Sequence, residues 1–240
     1  MSEVGCTECS SWGAAHRPSL LLIRTFKREQ SFQRGWRSDV FWLAGICLLV
    51  TGGCSGRPGR VVPPEIDPVA AADQALADFD LNKDDHLDQE ELKACPGLQA
   101  ATRSADTNQD GQLSAEEIAA RIRSWSDGKV ALVAVNCTVI KNGRPLVGAT
   151  VRLVPEKFLG PNILTATGIS DSAGRVELAL AGVPVKGVAH CGFFRVEISK
   201  KQGDQELISE KYNRNTVLGE ELTEGGERRK MGIVFDVSGK

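Results

Sequence analysis

Two oxygen-rich segments, DLNKDDHLDQEE at 80–91 and DTNQDGQLSAEE at 106–117, carry the side chains needed to surround a hard divalent cation. Such an ion takes six to eight oxygens, and a twelve-residue loop offers them from positions 1, 3, 5, 7, 9 and 12, the seventh through its backbone carbonyl. In the first segment these positions are Asp80, Asn82, Asp84, His86, Asp88 and Glu91; in the second they are Asp106, Asn108, Asp110, Gln112, Ser114 and Glu117. Glu91 and Glu117 would close each loop in bidentate fashion, while His86 and Gln112 need no side-chain oxygen at the carbonyl position. Position 6 turns sharply and favours glycine. Gly111 meets that demand, whereas Asp85 enters the left-handed region at some cost, so strain is expected in the first loop. Against this, the first loop offers a fourth carboxylate, Asp88, where the second has Ser114.

The helices that must hold such loops are legible around them. Asp67-Pro68 is a helix start, because aspartate accepts from free amides at the N-cap and proline at the first helical position has no amide to lose. Val69, Leu76 and Phe79 then give an apolar stripe. Asp88-Gln-Glu-Glu91 and Ser114-Ala-Glu-Glu117 are capping boxes for the helices that leave the loops. Pro96-Gly97 is read as the stop of the first exiting helix, with a short helix from about Leu98 to Ser104 leading into the second loop. Ile118, Ile122 and Trp125 line one face of the last helix. Both segments resemble the calcium loops of the EF-hand family. The resemblance implies Ca²⁺ as the ion and a short β-bridge joining the loops at position 8, where Leu87 and Leu113 stand. The loop starts, Asp80 and Asp106, are only 26 residues apart, closer than in calmodulin-like pairs. A calmodulin-type switch needs a flexible, methionine-rich groove. With only 2 Met in the chain, a structural or buffering role is expected.

Upstream, Arg24, Lys27, Arg28, Arg34 and Arg37 precede the apolar run Val40 to Val50, the pattern of an export signal with an h-region too short to span a bilayer comfortably. The following TGGCSG resembles a bacterial lipoprotein signal, and the resemblance implies lipidation of Cys54; Thr51 departs from the larger aliphatic residue of that pattern, and cleavage by an ordinary signal peptidase is the alternative. Residues 1–53 are therefore read as a signal region and 54–66, rich in Gly, Pro and Arg, as a linker.

Beyond Lys129 the periodicity changes from helical to alternating. Val133, Val135, Cys137 and Val139 fall on one face of a strand; Ala149, Val151 and Leu153 on one face of another, with Asn142-Gly143 as a hairpin turn between them. Asp171-Ser-Ala-Gly174 is a further turn before Val176, Leu178 and Leu180. Phe194, Val196 and Ile198 mark another strand, Leu207 to Tyr212 a short one and Ile233 to Val237 the last. The runs 141–155, 167–177 and 192–199 resemble the carboxypeptidase regulatory-like, or transthyretin-like, sandwich. That resemblance implies a non-catalytic module and brings no catalytic residues.

The expected architecture is thus α+β in two parts: a helical EF-hand pair at 67–127, then an antiparallel β-sandwich of about seven strands at 129–240. The near-neutral net charge of −2 hides an acidic centre that would repel nucleic acid. Of 3 His and 7 Cys, none forms a zinc cluster or a nucleophile–base pair. His190 beside Cys191 reads as a strand-edge histidine. Cys137 and Cys191 are candidates for a disulfide in an oxidising compartment, with two buried thiols as the alternative. The expectation is an exported, lipid-anchored, non-enzymatic calcium-binding protein of the bacterial cell envelope. An adhesion module with the sandwich as recognition surface and an accessory subunit of a hydrolase are the alternatives.

Overall fold

A computed structural model describes residues 61–226 and 232–238. Cys54, the signal region and most of the linker lie outside the described residues.

The helical half begins where the sequence places it. Asp67 caps α1 (Pro68–Phe79) by accepting from the amides of Val69 and Ala70 at 3.0 and 3.2 Å. The buried face, however, is Ala71, Ala72 and Ala75, and Val69 is exposed. Small side chains let α1 lie close against α4 (Ala115–Ser126), and a bulkier Val69 is left on the outer side. Single-turn α2 (Gln89–Leu92) is followed by α3 (Pro96–Ala105). Pro96-Gly97 therefore opens α3 instead of merely stopping its predecessor, since proline suits the first helical position. Two short strands, β1 (His86–Leu87) and β2 (Leu113–Ser114), pair antiparallel with Leu87 opposite Leu113, and both leucines are fully buried.

The β half contains two main sheets. Its strands are β3 (Val133–Ala134), β4 (Cys137–Lys141), β5 (Arg144–Pro145), β6 (Thr150–Pro155), β7 (Ala166–Ile169), β8 (Arg175–Val176), β9 (Ala179–Leu180), β10 (Val188–Ala189), β11 (Gly192–Ser199), β12 (Lys201–Gln202), β13 (Gln205–Glu206), β14 (Gly219–Leu222) and β15 (Ile233–Asp236). One sheet has the order β14-β11-β6-β7-β9; the other joins β15, β4 and β5, with β8 also on β4. Asn142 and Gly143, both at positive φ, make the tight turn between β4 and β5. The next strand does not continue that hairpin. From Leu146 the chain crosses to the other sheet, where β6 pairs with β7 and β11. All main pairings are antiparallel except β15, which runs parallel to β4. The segment expected as a strand at Leu207 to Tyr212 is instead a 3₁₀ turn over Glu210–Tyr212, after the β12–β13 hairpin.

Alternation decides which face each strand buries. Val151 and Leu153 of β6 lie opposite Ile198 and Val196 of β11, and all four are fully buried. Val139 of β4, Val176 of β8 and Phe235 of β15 supply the other sheet's contribution to the same core. That core does not stop at the helices, for it continues through Leu98, Ile122 and Trp125. All described residues lie in one compact unit, Gly56–Lys240.

The helices are joined to the sheet at close quarters. Pro96 and Gly97 press on β14 so tightly that a Cβ on Gly219 would sit 1.7 Å from the Pro96 carbonyl oxygen. Arg121 of α4 makes a bidentate pair with Glu221 of β14, at 2.6 and 3.0 Å, and the Ser104 hydroxyl donates to the same carboxylate at 2.8 Å. Edge-to-face contacts link Phe79 to Phe158 and Trp125 to Phe193, with Phe158 packed on Phe193 between them.

Glu156 completes the joint. Buried to 3% exposure, it accepts the Gly97 amide at 2.9 Å at the start of α3. Burial pushes its carboxyl above the ordinary glutamate range, although the Gly97 amide, Arg195 and the Cys95 thiol pull the other way. A carboxyl raised in the folded state contributes stability that is complete below the unfolded value and is lost as pH rises through the folded one. Glu156→Gln keeps the acceptor without the charge. Its melting temperature is expected to exceed the wild type's at pH 7, with the gap closing as pH falls through the raised folded value and gone below about 4.3; a gap that widens on acidification would contradict this assignment.

Candidate metal centre

The two loops share the same set of backbone-amide bonds at positions 1, 3, 5 and 12. Position 1 uses both carboxylate oxygens on the loop's own amides: Asp80 accepts from Lys83 and Asp85 at 2.6 and 3.0 Å, and Asp106 accepts from Gln109 and Gly111 at the same two distances. At position 3 the side-chain oxygens of Asn82 and Asn108 accept the amides of Asp84 and Asp110, each at 2.9 Å. At position 5 Asp84 and Asp110 accept from His86 and Gln112, at 3.0 and 2.8 Å. Finally the position-12 carboxylates reach back across the loop. Glu91 takes the amides of Leu81 and Asp88 at 2.8 and 3.0 Å, and Glu117 takes those of Thr107 and Ser114 at 3.0 Å each. In this way Asp, Asn, Asp and Glu of each loop are drawn around one turn of backbone.

Backbone shape follows the same repeat. Positions 4 and 6 both stand at positive φ: Lys83 at 61° and Asp85 at 63° in the first loop, Gln109 at 64° and Gly111 at 83° in the second. The expected strain at Asp85 is present. A second left-handed residue at position 4 left no signal in the sequence, since neither Lys nor Gln is a marker for that conformation. Asp85→Ala is expected to cost about 1 kcal/mol in urea unfolding. Asp85→Gly should stay within about 0.5 kcal/mol of the wild type, because relief of the side chain is offset by the greater freedom of glycine in the unfolded chain. Equal losses in the two variants would show that the left-handed turn is not the source.

Position 9 has a different duty in both loops. Asp88 accepts the Glu90 and Glu91 amides at 2.8 and 2.9 Å, and Ser114 accepts the Glu117 amide at 3.3 Å, so each caps an exiting helix. Ligation from this position commonly passes through a water. His86 turns its Nδ1–H onto the Asp84 carbonyl at 2.9 Å, so its ring is held by the loop's own backbone.

The electrostatics favour an anionic position 12 in the second loop. Burial pushes the Glu117 carboxyl up, but the amides and hydroxyls of Ser114 and Thr107 more than reverse this and hold it down at about 2. Thr107 is a residue that the ligand pattern passes over; its hydroxyl donates to Glu117 at 3.1 Å. The first loop has Leu81 at that place, 80% exposed and without a hydroxyl to give.

The donor set fits a hard cation and not a soft one, for it is all oxygen. Among the described residues no three or more His, Cys, Asp and Glu side chains gather into a cage of their own. An ion in either loop must therefore draw on the Asn amide oxygens and the position-7 carbonyls as well as the carboxylates. Other expected chemistry resolves simply. His190 is buried and donates from Nδ1 to the Ala131 carbonyl at 2.8 Å. No disulfide joins Cys137 to Cys191: both are buried thiols, and burial drives Cys137 up to about 12.

A helix, a bonded twelve-residue loop and a capped exiting helix, repeated once and joined by a β-bridge, make a paired helix–loop–helix. Residues 103–120 match the family described as EF hand, which covers the second loop and the start of α4. No curated protein and no solved structure matches the chain. No helix among the described residues is long and apolar enough to cross a membrane.

Proposed function

We propose that both loops bind Ca²⁺, the first through Asp80, Asn82, Asp84, the His86 carbonyl and Glu91, the second through Asp106, Asn108, Asp110, the Gln112 carbonyl and Glu117, with Asp88 and Ser114 contributing through water. One observation carries the reading. The backbone-amide bonds to positions 1, 3, 5 and 12 of the loop that matches the EF-hand family recur in the loop that lies outside the match. An ion that binds only the folded loops stabilises them by linkage. Since α1 and α4 share a core with the sheets, calcium here braces a platform and does not open a groove.

The role we propose is that of an exported, lipid-anchored, non-enzymatic protein of the cell envelope, with residues 129–240 as a transthyretin-like module. The basic-then-apolar stretch before Cys54 supports export, and two sheets with inward-facing alternate residues support the module. Outside the cell calcium is plentiful, and sites with dissociation constants of roughly 10⁻⁴ to 10⁻³ M suffice. Isothermal titration of the chain with Ca²⁺ is expected to show two sites, and Glu91→Gln with Glu117→Gln to abolish both. No heat at millimolar calcium would overturn the proposal. Mass spectrometry of Cys54 from membranes tests the anchor separately, an unmodified thiol being the adverse result.

A further inference from the structure

The helices cover only part of the outer face of the five-stranded sheet. Elsewhere on that face lies a polar cleft of about 850 Å³. Its floor is a grid of two cross-strand pairs, Thr150 opposite Ser199 and Arg152 opposite Glu197, set about 7 Å apart along the strands. Arg152 donates to Glu197 at 2.7 Å. That bond uses one of five guanidinium donors and one of two carboxylate oxygens.

The wall of the cleft is the segment 200–213, and an internal carboxylate pins it. Glu206 accepts the amides of Lys200, Leu207 and Ile208 at 2.8, 3.1 and 3.0 Å, the Asn213 side-chain amide at 3.0 Å, and the Ser199 hydroxyl. These bonds outweigh the burial that would raise its carboxyl, and they hold it below the ordinary range. A loop tied in this manner presents Ser209 and Asn213 to the cleft without further ordering, which lowers the entropic cost of binding.

Charge and polarity select the occupant. Arg152, Lys201 and Arg214 line the cleft together with Glu197, Asp204 and Glu210, and with Glu206, whose oxygens are already taken by the wall's own amides, so a polyanion meets carboxylates and a cation meets guanidinium groups. An apolar ligand finds only Ile208, itself 5% exposed. A neutral polyol is different, because each hydroxyl both donates and accepts. Neighbouring hydroxyls of a sugar ring need a donor beside an acceptor, which is what the Arg152–Glu197 pair offers, with a further hydroxyl at Thr150 and the Ser199 oxygen, whose proton is given to Glu206, as an acceptor. We propose that this cleft binds a neutral oligosaccharide, independently of the calcium loops.

The test titrates the full chain, in calcium-containing buffer, with cellotetraose, maltotetraose and chitotetraose, followed by calorimetry and by amide shift mapping. Saturable binding of at least one sugar is expected, with shifts gathered at Thr150, Ser199 and Asn213. Arg152→Ala and Thr150→Val should each weaken it about tenfold or more at unchanged melting temperature; the second variant is nearly isosteric and serves if the first fails to fold. No saturable binding of any of the three up to the solubility limit, binding unaffected by both variants, or preference for a phosphorylated sugar would each overturn the proposal.

Discussion

Gly219→Ala is expected to destabilise the protein by about 3 kcal/mol, the upper part of the range for overpacking a close contact. The cause is local and severe. A Cβ at this position would lie 1.7 Å from the Pro96 carbonyl oxygen, 2.2 Å from the Pro96 carbonyl carbon and 2.8 Å from the Gly97 nitrogen. All three are backbone atoms at the start of α3, so no side-chain rotation can make room. Either α3 lifts from β14, which also disturbs the Arg121–Glu221 pair and the Glu156 bond to Gly97, or β14 gives way. For a unit of this size the loss corresponds to a fall of about 10 °C in melting temperature. Gly225→Ala, where nothing stands within 4 Å, is the control and should change little. Equal behaviour of the two variants in thermal melts would mean that helices and sheet are not joined as described.

Removing calcium is the second large expected effect. A ligand at one hundred times its dissociation constant stabilises the folded form by about 2.7 kcal/mol, so two loops together contribute about 5 kcal/mol. Chelation should then lower the melting temperature by about 10 to 20 °C. The more telling outcome is which part of the protein responds. The first loop follows directly on Phe79, which meets Phe158 of the β half, and the second loop is followed by α4, whose Trp125 meets Phe193. Sheet and helices should therefore melt together, in one transition seen equally by tryptophan fluorescence and by far-ultraviolet dichroism. Two separate transitions, of which only the helical one moves with calcium, would refute the coupling. Glu91→Gln with Glu117→Gln should abolish the shift altogether.

Much of the candidate metal centre was legible in the chain itself, because a twelve-residue loop of this kind is a local object. Its donors, its turn at Asp85 or Gly111 and the caps at Asp88 and Ser114 all lie within twelve consecutive residues. The alternating burial of Val133, Val135, Cys137 and Val139, the Asn142-Gly143 turn and the Ile118, Ile122 and Trp125 face were legible for the same reason, although the single strand expected over 133–139 is broken into β3 and β4, which pair in different sheets. Each reflects a period of two or of 3.6 in neighbouring residues. The expected stripe through Val69 failed because three alanines, weak markers of hydrophobicity, make the contact instead.

By itself, then, the sequence determined the two oxygen-rich loops, their helix caps, and the α+β division at the point where the helical period gives way to alternation. Only the tertiary structure decided how these parts meet. Pro96 against Gly219, Glu156 beneath Gly97 and Arg121 on Glu221 join residues 59 to 123 positions apart, as does β15 alongside β4. Such pairings have no period and no local composition. They are set by which surfaces exclude the most water when the whole core closes, and that competition is settled across the entire chain at once.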